Sequence, residues 1–331
     1  MNLSISYFMF ATLAKCLLAE AGKACTDNIV VLGDSYSDTG NLFSITGGAL
    51  PPALAYDSGR FTNGKVWIEY FADLMGLNQP TPHYDPSTSG TNYAIGAAAS
   101  GSAINTGWTS ILTGTLIGPL PAKGLLLQTQ DFLSDNSSQC ASETLFIIWI
   151  GAVDLLMLGE TNFMNIIVNI ETSIKNLISG GATQFIVLNL PQLAYSPAYA
   201  DKGSSLFLSK SVPTGLRNDV TGFNKGLTDM LQRTDTSNDI VSITHVDIAP
   251  LFLEAALNPV KFGLDGDNVS SPTLSEADLH IRSKLVFKNA QNALWYDGVH
   301  PTTTFHEAVA KEVHSVVTSN KNTKENIQTE L

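Results

Sequence analysis

Short apolar runs alternate along this chain with longer segments whose apolar residues recur at helical spacing. Ile29 to Leu32 form an unbroken apolar run that ends in turn-forming residues, the mark of a buried strand. Similar runs fall at residues 144–151, 184–190 and 240–246, and the first of these reads as a central parallel strand. Helical spacing is found between them, at residues 63–77 through Val66, Ile68, Phe71, Leu74 and Met75, and at 125–133. It recurs at 162–179, where Gly180-Gly181 stops it, and at 214–231 and 303–317. This alternation predicts an α/β fold: a parallel sheet with right-handed crossovers and helices on both faces. With no internal repeat and no Pro/Ser-rich linker, residues 25–318 read as one domain. Residues 78–91 have loop composition, 102–122 read as a flexible lip, and the polar tail 319–331 reads as a frayed end.

Composition supports a packed core, with 44% hydrophobic and 15% charged residues among 331. A net charge of −12, with no lysine/arginine cluster to form a local basic face, excludes nucleic acid as a partner. The first residues differ from the rest. Ile5 to Ala19 is mostly apolar, too short to span a bilayer comfortably, and small residues follow it, so 1–24 read as a cleaved secretory leader. Lys15 interrupts that run and the segment before it lacks Lys or Arg, which keeps an N-terminal anchoring segment as the alternative. Cys16 would leave with the leader, so Cys25 and Cys140 would remain as candidates for a disulfide in an oxidising compartment. Asn136-Ser137-Ser138 and Asn268-Val269-Ser270 are glycosylation sequons and fit an extracellular location.

The chemistry sits near the two ends of the domain. Gly33-Asp34 can turn the chain sharply after the first strand and deliver Ser35 to the C-terminal edge of the sheet, where open α/β sheets hold their ligands. A serine hydroxyl needs a base and a group to orient that base. Trp295-Tyr296-Asp297-Gly298-Val299-His300-Pro301 offers both. On a tight turn Asp297 can accept from Nδ1 of His300 and leave Nε2 facing Ser35. His83, His245, His280, His306 and His314 lack paired ligand spacing, so neither metal nor cofactor is expected.

These segments together resemble the GDSL esterase/lipase family, also called SGNH hydrolases. Its opening block, Gly-Asp-Ser-x-Ser-Asp-x-Gly-Asn, is matched from Gly33 to Asn41, and its closing block, Asp-x-x-His-Pro, by Asp297, His300 and Pro301. Gly59 to Gly64 and Asn92 to Ala97 resemble the second conserved region, and Asn189-Leu190-Pro191, Phe223-Asn224 and Asn258-Pro259 follow in family-like order. The likeness covers about residues 28–318. It implies a three-layer, flavodoxin-like sandwich around a mostly parallel five-stranded sheet. It also implies a serine esterase or lipase that forms an acyl-enzyme on Ser35, with the backbone amides of Ser35 and Gly96 facing the carbonyl oxygen. From the residues alone, the small-residue run starting at Gly96 reads first as tight strand-to-helix packing; it is the resemblance that favours the donor.

One block departs from the pattern. Where the family has Gly-x-Asn-Asp, this chain has Gly151-Ala152-Val153-Asp154, and Val153 cannot donate a hydrogen bond. Loss of such a donor costs on the order of 10²–10³ in turnover. Asn92 and Asn162 are candidate substitutes by residue type only, local capping or hydrogen bonding being the favoured reading, and Asp154 is expected to brace the serine loop, with an ordinary helix N-terminal acid as the alternative. The expected protein is a secreted monomer acting on a lipid or acylated carbohydrate ester. The competing expectation is a binding protein on the same scaffold, weakened as a catalyst by Val153.

Overall fold

The computed structural model describes residues 29–88, 90–102, 107–109, 116–119, 121–135, 141–197, 215–237, 240–265 and 292–329. The expected leader, Cys25, Cys140, both sequons and His280 lie outside the described residues. In chain order the elements begin with β1 (Ile29–Gly33), α1 (Asn41–Ile45), α2 (Trp67–Met75), β2 (Gly107–Thr109), β3 (Leu116–Pro119) and α3 (Leu125–Ser134). Next come β4 (Leu145–Trp149), α4 (Ala152–Leu156), α5 (Phe163–Ser179) and β5 (Gln184–Leu188). The last are α6 (Leu216–Thr236), β6 (Ser242–Val246), α7 (Ala249–Leu257) and α8 (Thr303–Thr329).

The sheet is parallel and four-stranded, in the order β1-β4-β5-β6. Every residue of β1 is buried, as are all but the first of β4 and β5, so both faces of these strands are covered. This is why they read as apolar runs and not as alternating ones. Helix α2 packs against α8, while α3 packs on α5 and α5 on α6. Near the C-terminal end of β4, Trp149 stacks on Tyr36 at 4.7 Å and meets the edge of Trp67 at 5.6 Å. The strand ends that carry the turns are therefore anchored in aromatic core.

Among the described residues the expected fifth strand does not form, and the reason is local. Residues 91–95 run beside β1 with strand-like bonds: Val31 N–H to Thr91 O (3.1 Å), Tyr93 N–H to Val31 O (2.8 Å) and Ile95 N–H to Gly33 O (3.1 Å). A continuous ladder would next take the Gly33 N–H to the Tyr93 carbonyl. Instead that N–H donates to Oε1 of Gln128 (2.8 Å), while Nε2 of Gln128 donates to Gly33 O (2.9 Å). The Asn92 side chain also accepts from Ala94 N–H, curling the segment away. A glutamine from α3 thus takes the place of one strand residue.

Other differences are smaller. The stretch 102–122 includes an antiparallel pair, β2 with β3, within what reads as a lip. Helices α1 and α4 have five residues each, too few to show a 3.6 period. Helix α8 continues to Thr329, past the expected end at Val317, because residues 318–329 contain no Gly or Pro to stop it.

Gln128→Leu keeps the side-chain volume and leaves the Gly33 N–H buried without an acceptor. We expect a loss of about 2–3 kcal/mol in urea unfolding; a loss within measurement error would show that the clamp on Gly33 is dispensable.

Candidate active site

Ser35 lies in the turn that follows β1. That turn needs glycine at position 33, because a Cβ there would stand 2.4 Å from the carbonyl oxygen of Trp149 on the neighbouring strand. After Ser35, the backbone closes with Ser37 and Asp38 N–H groups on the Asp34 carbonyl (3.1 Å each). The Ser35 hydroxyl is mostly buried, and its own N–H makes no hydrogen bond among the described residues.

His300 arrives on a second tight turn. Trp295 bridges to Pro301, and Tyr296 N–H donates to His300 O (2.8 Å). Inside the turn, Oδ1 of Asp297 accepts from Val299 N–H (2.8 Å) and His300 N–H (2.7 Å), and Oδ2 lies 2.7 Å from Nδ1 of His300. Nε2 of His300 is 2.8 Å from Oγ of Ser35. Three of the expected residues are thus in line, across 265 positions of sequence. Side-chain exposure falls from 12% at His300 to 2% at Asp297, so the carboxylate end is dry and the imidazole reaches toward solvent. Such an arrangement can draw a proton from the serine hydroxyl and stabilise the imidazolium that forms.

Two tyrosines that sequence reasoning passed over tie the turns together. Tyr36 donates to Val299 O (3.0 Å), so the residue next to the serine holds the histidine turn. Tyr56 donates to Oδ2 of Asp297 (2.8 Å). On the other side, Phe61 lies against the His300 ring at 5.1 Å. The position after Phe61, Thr62, donates to Pro301 O (2.9 Å).

The Gly96 amide is a correction. Its N–H donates to Oδ2 of Asp38 (2.7 Å) inside the protein and does not face a substrate. Asp38 is fully buried and gathers four backbone donors in all, the others being Gly40, Asn41 and Leu42. The glycine itself serves close packing, since a Cβ at position 96 would stand 2.4 Å from the Phe61 ring. Its neighbour Ala97 has φ 65°, a left-handed conformation that alanine rarely adopts. The Ala97 N–H makes no hydrogen bond among the described residues.

The remaining candidates are engaged elsewhere. Asn92 donates to Ser37 O (2.7 Å) and to Oγ1 of Thr39 (2.9 Å), and Asn162 caps α5 through Met164 N–H (3.3 Å). Asp154 accepts from Ser100 N–H (2.9 Å) and Oγ–H (2.7 Å), so it braces the 96–101 loop and not the serine turn. Val153 is buried in α4 beside it. His306 is also buried, its Nδ1 accepts from Trp67 N–H (3.2 Å), and burial pushes its pKa down to about 3. No group of His, Cys, Asp or Glu among the described residues is arranged to hold a metal ion.

A family model described as GDSL-like lipase/acylhydrolase matches residues 29–313, and the chain belongs to that family of hydrolases acting on esters. Over 350 residues it is 24% identical to a GDSL esterase/lipase of Arabidopsis thaliana, covering 95% of this chain and 98% of that one. It is also 24% identical to the phosphatidylcholine-sterol acyltransferase of Aeromonas hydrophila, covering 94% of this chain and 96% of that one. A thermolabile hemolysin of Vibrio parahaemolyticus is 26% identical, with 87% of this chain and 63% of that protein covered.

Beneath the site lie acids that resist ionisation. Burial pushes Asp34 up to about 7, and its Oδ2 has no hydrogen-bond partner among the described residues; burial pushes Asp38 up to about 6 against the pull of its backbone donors. Both groups hold a proton more tightly in the native chain than in the unfolded one. Each therefore lowers stability as pH rises from about 4 through its native value, and the cost is complete above it. Asp34→Asn removes one share of that cost. Compared by urea unfolding at about pH 5 and about pH 8, the variant should gain on the wild type at the higher pH; a difference that does not change with pH would contradict this.

Proposed function

We propose that this protein is a secreted serine esterase that cleaves carboxylic esters through an acyl-enzyme on Ser35. The observation that carries this reading is the unbroken line from Asp297 Oδ2 through His300 to Ser35 Oγ, with links of 2.7 and 2.8 Å. In the first half-reaction, Oγ of Ser35 attacks the ester carbonyl carbon while Nε2 of His300 takes the hydroxyl proton. The carbonyl oxygen becomes negative. As the tetrahedral adduct collapses, the imidazolium gives its proton to the departing alkoxide, leaving the acyl group on Ser35. In the second half-reaction, water attacks the acyl carbon while Nε2 of His300 takes its proton; the bond to Oγ of Ser35 then breaks and the imidazolium returns the proton to Oγ, releasing the acid.

For the negative oxygen, the Ser35 N–H is one donor and the Ala97 N–H is the second. The Ala97 assignment rests on the left-handed backbone at that residue and on the position of the 96–97 turn, which packs on Phe61 beside the imidazole. Strained backbone of this kind is found where a site must aim a group. Val153 supplies no third donor, which makes this a two-amide site. Secretion belongs to the same reading, supported by the apolar stretch from Ile5 to Ala19 and the small residues after it. No helix among the described residues is long and apolar enough to cross a membrane.

Hydrolysis of short-chain and medium-chain p-nitrophenyl esters tests the proposal. Wild-type protein should release p-nitrophenol, and Ser35→Ala should lower kcat by about 10³-fold or more; a folded wild type without activity, or an active alanine variant, would overturn it. Val153→Asn should raise kcat by about tenfold or more if the new amide reaches the oxyanion. An unchanged or lower rate would mean that the pocket is built around the valine.

A further inference from the structure

Asp297 accepts four hydrogen bonds, and its own turn accounts for three of them: Val299 N–H, His300 N–H and His300 Nδ1–H. The fourth comes from Tyr56, 241 positions away, onto the same Oδ2 that faces the imidazole. The contact is built from both sides. Tyr296, the residue before Asp297, donates its hydroxyl to the carbonyl of Ala55, the residue before Tyr56. The two tyrosine rings meet edge to face at 5.7 Å, and Tyr56 packs on Phe61 at 5.9 Å. Both rings are buried.

From this clasp we infer that Tyr56 is a positioning residue that sets the strength of His300 as a base by sharing Oδ2 of Asp297 with it. The inference rests on the serine-esterase reading for its effect on rate, although the coupling itself does not need catalysis. A hydroxyl on Oδ2 takes up part of the carboxylate charge and fixes the oxygen in place. The imidazolium then finds a less negative partner than a free carboxylate would be, and the ring loses its proton more readily. Burial and the neighbouring carboxylate raise the Tyr56 pKa well above that of a free phenol, so the hydroxyl remains a donor across the working range. The other groups facing the imidazole are Asp34 from the turn after β1, His306 from α8, and the rings of Tyr36 and Phe61. Tyr56→Phe leaves all of them in place.

The direct test is the titration of the His300 ring, followed by NMR and assigned with His300→Ala, in the wild type, Tyr56→Phe and Tyr296→Phe. Tyr296→Phe is the structural control, since its hydroxyl bonds a backbone carbonyl in the same clasp and not the carboxylate. We expect the midpoint in Tyr56→Phe to rise by about half a pH unit, with the acid limb of kcat/KM moving with it. Its kcat should fall about three- to tenfold with KM unchanged within about twofold, while Tyr296→Phe leaves the midpoint in place. An unmoved midpoint in Tyr56→Phe, or an equal shift in both variants, overturns the inference. Should Phe at position 56 prevent folding, 3-fluorotyrosine placed there reads the same coupling with opposite sign. The stronger donor should lower the midpoint, and no change would overturn the inference. A midpoint that moves in Tyr56→Phe as expected, in a protein that cleaves no ester, would remove the esterase reading and leave the Tyr56 coupling standing.

Discussion

The contact on which the structure turns is the one between Nε2 of His300 and Oγ of Ser35, because no local structure brings it about. Each partner sits on a turn closed by its own hydrogen bonds: one on the Asp34 carbonyl, the other on Oδ1 of Asp297. The alignment comes from bonds between the turns. Tyr36 reaches Val299 O, and the loop between α1 and α2 supplies Tyr56 to Asp297 and Thr62 to Pro301. That loop works as a splint along the C-terminal segment. Helix α8, which begins at Thr303 just after the histidine turn, packs on α2, which follows the splint.

Below this surface the protein carries buried acids that serve as backbone organisers. Asp38 draws the start of α1 and the 96 loop together through four N–H donors, and Asp154 holds the same loop through Ser100. A buried carboxylate is costly unless donors surround it, and each donor captured this way is a loop fixed in place. Asp34 has fewer donors, with one oxygen on Tyr36 N–H and the other without a hydrogen-bond partner among the described residues, and burial raises its affinity for a proton. Rigidity under the serine is thus obtained at some expense in stability at neutral pH.

Much of this was legible in the sequence, and the misses share a cause. Ser35, Asp297 and His300 could be read because each depends on a short local pattern: a strand broken at Gly-Asp, and an acid three residues before an imidazole on a turn. The four strands and the long helices showed in their apolar spacing for the same reason. What escaped depends on side chains distant in sequence. Gln128 interrupts a ladder that would have made residues 91–95 a fifth strand, and Asp38 captures the Gly96 amide that family likeness had pointed at the substrate. Tyr56 carried no signal at all, being one aromatic residue in a loop whose partner is 241 positions away.

The most direct measurement is covalent labelling with a fluorophosphonate, read by intact mass and peptide mapping. The account predicts one adduct per chain, on Ser35, and its loss in a folded His300→Ala variant. A native, folded protein that stays unlabelled, or one whose adduct maps to another residue, would contradict it.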